Sequence, residues 1–154
     1  MQMGLIGLGK MGGNMRERLR RAGHHVIGYD TNPEISDAAD QADLVAQLTQ
    51  TPRVVWVMVP DRVTDAVIDE LGTRLSAGDI VIDGGNSKWT HDARHAAALG
   101  ERGIHFIDCG VSGGVWGLEN GYALMCGGSE EAVAQVMPLF EALKPAGEFG
   151  FVHA

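Results

Sequence analysis

The stretch Gly4-Leu5-Ile6-Gly7-Leu8-Gly9-Lys10-Met11-Gly12-Gly13-Asn14-Met15 decides the fold of this chain. It begins as a short apolar run, passes through three glycines and continues with apolar residues at helical spacing, which predicts a strand, a tight turn and a helix. In that arrangement Gly7 permits the turn, Gly9 leaves room beside the backbone, and Gly12 lets helix and strand pack closely. The first N–H groups of the helix would then face an anion such as the pyrophosphate of a dinucleotide.

Length and charge narrow the class of protein. A chain of 154 residues that is 45% hydrophobic is long enough for one domain with a proper core. Its 20 acidic and 12 basic residues give a net charge of −8, the wrong sign for a general nucleic-acid binder. No apolar stretch approaches the roughly 20 residues that cross a bilayer, and Met1 leads straight into the first strand. These features predict a cytoplasmic protein that binds neither nucleic acid nor membrane.

Three local clusters of side chains bear on functions other than nucleotide binding. The basic cluster on the first helix, predicted as a solvated face rather than a docking patch, consists of Arg16, Arg18, Arg20 and Arg21. His91 and His95 are one helical turn apart, but they lack the glutamate of H-E-x-x-H, which favours helix-surface histidines over a metal site. Cys109 and Cys126 belong to no C-x-x-C spacing and are predicted to be small buried residues rather than zinc ligands or a redox pair.

An acidic residue ends the second predicted strand. The first helix is predicted to stop at Gly23, and a strand over residues 25–29 ends at Asp30, which lies 18 residues after Gly12. Dinucleotide-binding folds place the carboxylate that accepts the adenosine ribose hydroxyls at about this distance. Because Thr31-Asn32-Pro33 offers no arginine for a 2′-phosphate, the sequence favours NAD over NADP. The alternative is that Asp30 serves only as a turn residue or helix N-cap.

The remaining chain alternates predicted strands and helices, which indicates a doubly wound, mostly parallel, three-layered α/β sheet of the Rossmann type. Further strands are predicted over residues 53–59, 78–83, 104–109, 122–126 and 149–152. Asp61 is expected to cap a helix with an apolar stripe of Val63, Ala66, Val67, Leu71 and Leu75, and Ser129 to cap the last helix. One or two short helices are expected between residues 34 and 50.

Two polar loops follow predicted strands at the sheet edge where ligands collect in open α/β folds. Asn86 lies in the turn Gly84-Gly85-Asn86-Ser87 and is placed to touch cofactor or substrate. The loop over residues 110–117 is the longest glycine-rich loop, and its N–H groups and the Ser112 hydroxyl are predicted to form an anion nest. A flexible hairpin is the alternative for this loop.

Four sequence blocks resemble the N-terminal domain of decarboxylating 6-phosphogluconate dehydrogenases, within the β-hydroxyacid dehydrogenase superfamily. They are Gly7-Leu8-Gly9-Lys10-Met11-Gly12-Gly13-Asn14, Val57-Met58-Val59-Pro60, Asp83-Gly84-Gly85-Asn86-Ser87, and Asp108-Cys109-Gly110-Val111-Ser112-Gly113-Gly114-Val115-Trp116-Gly117. The first block and the Ser-Gly-Gly are shared with 3-hydroxyisobutyrate dehydrogenases, whereas the third block and the Val-Trp-Gly-Leu resemble the phosphogluconate branch specifically. The resemblance covers essentially the whole chain.

The resemblance implies oxidation of 6-phosphogluconate at C3 by hydride transfer to a nicotinamide, then loss of CO2 to give ribulose 5-phosphate, in the pentose phosphate pathway and without a metal. It implies that Asn86 lies between nicotinamide ribose and substrate, and that Ser112, Gly113 and Gly114 hold the substrate around its carboxylate. The candidate cofactor-binding residues are Gly7, Leu8, Gly9, Lys10, Met11, Gly12, Tyr29, Asp30, Thr31, Val59, Pro60 and Asn86. The expected cofactor is NAD, with NADP as the second choice.

The chain departs from the family pattern in two ways. The segment between Asn32 and Arg53 is short, which predicts a trimmed crossover and a missing edge strand. Family members also continue into a helical domain that carries the catalytic lysine and glutamate and most of the homodimer interface, and no catalytic residue is expected in residues 1–154. The chain alone is therefore expected to bind cofactor without turnover. The alternatives are a dehydrogenase of another 3-hydroxy acid and a non-catalytic dinucleotide-binding module.

Overall fold

The described residues, 1–85 and 88–154 of a computed structural model, form alternating strands and helices. The strands are β1 (Gln2–Ile6), β2 (His25–Tyr29), β3 (Val54–Val57), β4 (Ile80–Asp83), β5 (His105–Ser112), β6 (Ala123–Gly127) and β7 (Phe151–His153). The helices are α1 (Lys10–Arg21), α2 (Gln41–Gln47), α3 (Asp61–Arg74), α4 (Trp89–Gly100), α5 (Gly117–Asn120) and α6 (Glu130–Leu143), with a 3₁₀ turn at Gly114–Trp116.

The strands form a single sheet in the order β2-β1-β3-β4-β5-β6-β7. Every neighbouring pair is parallel except β5 and β6, which are antiparallel. Parallel neighbours require a crossover over one face of the sheet, and the helices supply it. The predicted doubly wound α/β fold is therefore confirmed, with the antiparallel pair as its one irregularity.

Both faces of the central strands are buried because helices cover each of them. Along β3, Val54 and Trp56 point toward α1 and α6, whereas Val55 and Val57 point toward the layer of α2, α3 and α4. All four side chains are fully buried, as expected for a strand with helices on both sides. Trp56 meets Phe140 of α6 edge to face at a centroid distance of 5.7 Å, which anchors that helix to the sheet.

The sheet ends at β2, which agrees with the expected missing edge strand. Residues 30–40 instead run past β2 without a helix, and α2 is the single helix of that crossover. Asp37 pins this segment to the edge: its N–H donates to the Gly28 carbonyl, and its carboxylate accepts from the Gly28 N–H, both at 2.8 Å. The same carboxylate accepts from Arg20 at 2.7 Å and Arg16 at 3.3 Å, so it also ties the segment to α1.

Two details of α3 differ from prediction. Pro60 is the N-cap and Asp61 is the first helical residue, so Asp61 contributes charge to the first turn rather than a side-chain cap. The predicted stripe is confirmed at Leu71 and Leu75 and in part at Val67, which packs against the core, whereas Val63 and Ala66 are exposed. The buried face is formed by Thr64, Ile68, Leu71, Gly72 and Leu75. The burial of Thr64 was not predicted because the side chain is polar. Its hydroxyl donates to the Pro60 carbonyl at 3.1 Å.

The two histidines of α4 do not both lie on the surface. His95 is 1% exposed, and its Nε2 lies 2.7 Å from Oδ1 of Asp65 on α3, while Nδ1 of His91 lies 3.4 Å from the other oxygen. The pair thus fastens α4 to α3 through one carboxylate, which corrects the surface assignment of His95. Among residues 1–85 and 88–154, no group of three or more His, Cys, Asp or Glu side chains could hold a metal ion.

The last strand lies two residues beyond its predicted start. It spans Phe151–His153, and Phe149, the predicted first residue, is 86% exposed. Ser129 caps α6 as predicted, since its hydroxyl oxygen accepts from the Ala132 N–H at 3.2 Å. In the part of the chain that the structure describes, no helix has the length and apolar character needed to cross a membrane.

Asp37 gives the fold a testable dependence on pH. Burial alone would raise the pKa of Asp37, but the Gly28 N–H and the guanidinium groups of Arg20 and Arg16 outweigh it and lower the pKa below its ordinary value of 3.8. A lowered folded-state pKa stabilises the fold above pH 4, and this contribution is lost as the pH falls through the folded-state pKa.

We expect Asp37→Asn to reduce stability by about 1 kcal/mol at pH 7, a modest figure because the side chain is 37% exposed. The difference from wild type should shrink at pH 3, and thermal unfolding at both pH values measures it. Glu34→Gln, on the exposed part of the same segment, is the matched control. An equal loss of stability at pH 3 and pH 7 would contradict this role of the Asp37 charge.

Candidate functional site

The turn between β1 and α1 contains two glycines at positions where neighbouring protein atoms leave no room for a side chain. Gly7 has a φ of +95°, a conformation that side chains strain, and its N–H donates to the Tyr29 carbonyl at 2.9 Å. A Cβ at Gly7 would overlap the Met58 carbonyl, and a Cβ at Gly12 would overlap the Gly7 carbonyl itself. The turn and the close helix–strand packing expected from the sequence are both present.

Gly9 differs from its two neighbours, because a Cβ added there would meet no protein atom within 4 Å. Gly9 is the N-cap of α1, no side chain caps the helix, and the first turn carries Lys10 and no acidic residue. The positive end of the helix dipole and its uncapped N–H groups therefore face open space. This geometry suits an anion that approaches the backbone closely.

Asp30 lies at the end of β2 beside this turn and serves two purposes. Its Oδ1 accepts from the Asn32 N–H at 2.9 Å, the Asx turn that the sequence left as an alternative. Its Oδ2 accepts from the Leu8 N–H at 2.8 Å and so fixes the carboxylate against the glycine turn. An ionised carboxylate has about four acceptor positions, which leaves capacity for hydroxyl groups of a ligand.

A cleft of about 760 Å³ opens along the carboxyl ends of β1, β2, β3 and β4. Its lining includes ten of the predicted cofactor-binding residues: Gly7, Gly9, Lys10, Met11, Gly12, Tyr29, Asp30, Thr31, Val59 and Pro60. Leu8 does not line it, because its side chain is buried in the core and its N–H is bound by Asp30. Asn86 lies outside the described residues, so its predicted roles toward cofactor and substrate stay predictions.

Several lining residues were missed by sequence reasoning. They are Ile6, Gln41, Met58, Asp61, Arg62, Val63, Val67, Gly84, Gly85 and Val111. Asp61 and Arg62 could have been found from the rule that the loop and helix start after each parallel strand face the ligand edge, since they directly follow β3 and Pro60. Gln41 carried no such signal, because the course of residues 30–40 is set by the tertiary contacts of Asp37.

The predicted substrate loop is shorter than the sequence suggested. Gly110, Val111 and Ser112 continue β5 and pair with β6, where Ser112 lies opposite Ala123. These three residues therefore belong to a strand rather than to the loop, and the loop itself begins at Gly113. Gly113 is extended, and Gly114, with a φ of +53°, opens the 3₁₀ turn.

The structure does not bring Ser112, Gly113 and Gly114 into the cleft described above, although Val111 reaches it. The three residues lie just beyond the cleft, where β5 leaves the sheet edge. A Cβ at Gly113 or Gly117 would overlap or crowd the ring of Tyr122, which is fully buried. These two positions therefore require glycine, because a side chain would not fit beside Tyr122. The loop packs against Tyr122, which disfavours the alternative of a flexible hairpin.

Arg18 connects α1 to the segment that follows β5 and to the end of α6. Its guanidinium donates to the carbonyls of Leu118 at 3.1 Å and Glu119 at 3.4 Å in α5, and to those of Ala142 at 2.9 Å and Lys144 at 3.0 Å at the end of α6. The arginine cluster is thus not simply a solvated face. Arg18 fixes the segment after Gly114 relative to the helix whose N-terminus borders the cleft.

Burial and a nearby negative charge both raise the pKa of Asp108, a carboxyl group near this edge of the sheet. Asp108 of β5 lies beside Gly127 of β6, and burial raises the pKa of Asp108, with the negative charge of Asp92 adding to the effect. Asp108 and Asp92 line a separate small pocket with Trp89 and Phe106, outside the cleft. The charged side chains that line the main cleft, within residues 1–85 and 88–154, are Lys10, Arg62, Asp30 and Asp61.

Comparison with known proteins agrees with this geometry. Residues 2–147 match the family model described as the NAD binding domain of 6-phosphogluconate dehydrogenase. The chain is 40% identical over 153 residues to the NAD(+)-dependent, decarboxylating 6-phosphogluconate dehydrogenase of Haloferax volcanii, covering 93% of this chain and 50% of that protein. The chain spans about half the length of its first curated relatives, 54% and 50%.

Solved structures of related enzymes superpose on nearly the whole chain. The Mycobacterium tuberculosis 3-hydroxyisobutyrate dehydrogenase has a TM-score of 0.85 at 26% identity, over 99% of this chain and 53% of that one. The Plasmodium falciparum 6-phosphogluconate dehydrogenase has a TM-score of 0.80 at 25% identity, over 99% of this chain and 36% of that one. From the matched domain and these relatives, the chain belongs to the family of 6-phosphogluconate dehydrogenase NAD-binding domains.

Proposed function

We propose that this chain is the cofactor-binding part of an NAD-preferring 6-phosphogluconate dehydrogenase. The observation that carries the proposal is the pairing of Asp30 with the glycine turn at one end of the cleft. The uncapped N-terminus of α1 is suited to the pyrophosphate, and Asp30, held by the Leu8 N–H, is suited to the hydroxyls of the adenosine ribose. A cleft of about 760 Å³ falls in the range of small-ligand and cofactor sites.

The preference for NAD rests on charge. A 2′-phosphate beside Asp30 would place like charges together, which costs several kcal/mol. Arg62 also lines the cleft and is the one guanidinium there that could offset this cost, among the residues that the structure describes. Asp61, the residue before Arg62 in α3, also lines the cleft and adds a second negative charge there. The name of the Haloferax volcanii relative states NAD dependence, whereas NADP+ is named as the cofactor of the Plasmodium falciparum enzyme.

The proposed reaction is oxidation of 6-phosphogluconate at C3 followed by decarboxylation to ribulose 5-phosphate. When bound, the nicotinamide supplies the hydride acceptor. In this chain, Ser112, Gly113 and Gly114 are proposed to bind the substrate around its carboxylate, and Asn86 to contact both cofactor and substrate. Arg18 holds the segment after Gly114 in a fixed position relative to α1, which would bring the bound substrate and the bound cofactor face to face.

A second candidate keeps the chemistry and changes the substrate. The TM-score of 0.85 to a 3-hydroxyisobutyrate dehydrogenase favours a smaller 3-hydroxy acid. The Asp83-Gly84-Gly85-Asn86-Ser87 block and the identities of the sequence relatives favour the phosphogluconate branch. Assay of the full coding sequence with 6-phosphogluconate and 3-hydroxyisobutyrate separates the two, since the proposal requires higher kcat/KM for the phosphorylated acid.

Gly9 and Gly12 provide a test that separates cofactor binding from folding. Gly9→Ala places a methyl group in open space, so we expect the melting temperature to stay within about 2 °C of wild type. The same methyl group would block the close approach of the pyrophosphate and weaken NAD binding by at least about 10-fold. Calorimetric titration with NAD and thermal unfolding measure the two effects.

Gly12→Ala is the contrasting variant, because its methyl group would overlap the Gly7 carbonyl. We expect a loss of stability of about 1–3 kcal/mol together with weaker binding. A Gly9→Ala protein that binds NAD as tightly as wild type would contradict the proposed position of the pyrophosphate.

The cofactor preference is tested by titrating the protein with NAD and with NADP. We expect NAD to bind at least about 10-fold more tightly, because Asp30 repels a 2′-phosphate. Asp30→Asn should weaken NAD binding roughly 10- to 100-fold, the value of a hydrogen bond to a charged acceptor. Glu34→Gln removes a nearby exposed charge outside the cleft and should leave both affinities unchanged. NADP binding equal to or tighter than NAD would overturn the preference.

The 154-residue chain is expected to bind the dinucleotide and to form no ribulose 5-phosphate. The resemblance assigns the general base and acid to a helical domain, and proton transfer to and from the substrate requires both. Coupled detection of NADH and CO2 with purified chain and 6-phosphogluconate checks this expectation, with the decarboxylating 6-phosphogluconate dehydrogenase of Haloferax volcanii as the positive control. Measurable turnover by residues 1–154 would show that the chain holds its own acid and base.

A further inference from the structure

The two cysteines of the chain, far apart in sequence, are directly opposite each other in the sheet. Cys109 of β5 pairs with Cys126 of β6 in the antiparallel register. Their Sγ atoms lie 2.9 Å apart, closer than two non-bonded sulfur atoms normally approach. Both side chains are on the face that packs against α1 and α6, and they are 2% and 0% exposed.

We propose that Cys109 and Cys126 are a modification site that closes into an intramolecular disulfide across β5 and β6. A disulfide has an S–S length of roughly 2.05 Å, so the sulfur atoms need only a small further approach. The register meets the backbone requirement, because residues directly opposite in an antiparallel pair have Cα atoms roughly 4.5 or 5.5 Å apart, within the roughly 4.4–6.8 Å that a disulfide spans.

The reaction needs a two-electron oxidant, and a low-molecular-weight disulfide such as oxidised glutathione is the class we propose. One cysteine loses its proton and attacks a sulfur of the reagent, which breaks the reagent's S–S bond and releases one thiolate. The second cysteine then loses its proton and attacks the mixed disulfide, which forms the protein S–S bond and releases the second thiolate. The protein thiols are oxidised, and one reagent disulfide is reduced to two thiols.

The surroundings of the pair predict slow oxidation. The contact with the Cys126 thiol and burial both raise the pKa of Cys109, so little reactive thiolate is present in the closed protein. The pair nevertheless lies only one strand from the sheet edge, where β7 contributes three residues. Local opening of β7 and β6 is therefore the expected path for the reagent, and low concentrations of urea should speed the reaction.

The bridge would restrain the strands that lead into and out of the substrate loop. Cys109 precedes Ser112 by three residues, and Cys126 lies in the strand that returns from the loop. Neither cysteine lines the cofactor cleft. Oxidation should thus stabilise the β5–β6 pair without altering dinucleotide affinity, and the proposal does not depend on the proposed function.

The experiment treats the folded chain with oxidised glutathione without denaturant, then unfolds it in the presence of a thiol-alkylating reagent and measures the mass. We expect a product that lacks two hydrogen atoms and takes up no alkyl group, and a melting temperature raised by roughly 5–10 °C. Dithiothreitol should restore two alkylated thiols and the original melting temperature.

Cys126→Val and Cys109→Val are the matched controls, since each leaves one thiol in a similarly apolar site. Neither variant should give the product that lacks two hydrogen atoms or the increase in melting temperature. The proposal is overturned if wild type retains two alkylatable thiols after prolonged oxidation, if it gives only glutathione adducts or disulfide-linked dimers, or if the bridge forms only under denaturing conditions.

Discussion

The contact between Gly12 and the Gly7 carbonyl is the constraint on which the cleft depends. The backbone of α1 passes so close to the end of β1 that no side chain fits between them, and the positive φ of Gly7 turns the chain into this contact. The close packing directs the uncapped first turn of α1 toward the sheet edge. Gly9, which no protein atom requires, then occupies the one position of the three where the space remains open to a ligand.

A second set of contacts fixes the positions of the surrounding segments relative to the glycine turn. Asp30 binds the Leu8 N–H and so couples the end of β2 to the glycine loop, while Asp37 fixes the segment after β2 to α1 through Arg16 and Arg20. On the other side Arg18 binds carbonyl groups of α5 and α6. The segments on both sides of the cleft are therefore held in position relative to α1, although few of these contacts are made by atoms that line the cleft. The arginine side chains of this helix bind backbone carbonyls and the carboxylates of Asp37, Glu17 and Glu119.

The fold could be predicted from the sequence because the features that indicate it depend on residues close together in the chain. The apolar run of β3, the glycine turn and the Ser129 cap depend on neighbouring residues, and all three were found where predicted. The errors came from tertiary contacts. His95 was assigned to the surface because its partner Asp65 belongs to another helix, and Ser112 was assigned to a loop because its strand partner, Ala123, lies 11 residues later. Gln41 lines the cleft for the same reason, since the course of residues 30–40 is set by the contacts of Asp37.

The antiparallel β5–β6 pair shows how one change of strand direction shapes this end of the molecule. A parallel continuation would need a helical crossover after β5, whereas the antiparallel partner lets the chain return through a short segment of a 3₁₀ turn and α5. That segment packs Gly113 and Gly117 on Tyr122, so Ser112 ends β5 and Gly114 opens a compact turn rather than a long loop. The same reversal sets Cys109 opposite Cys126. Because β5 lies between the parallel sheet and this hairpin, any restraint on the β5–β6 register acts directly on the position of the turn and only indirectly on the cofactor cleft.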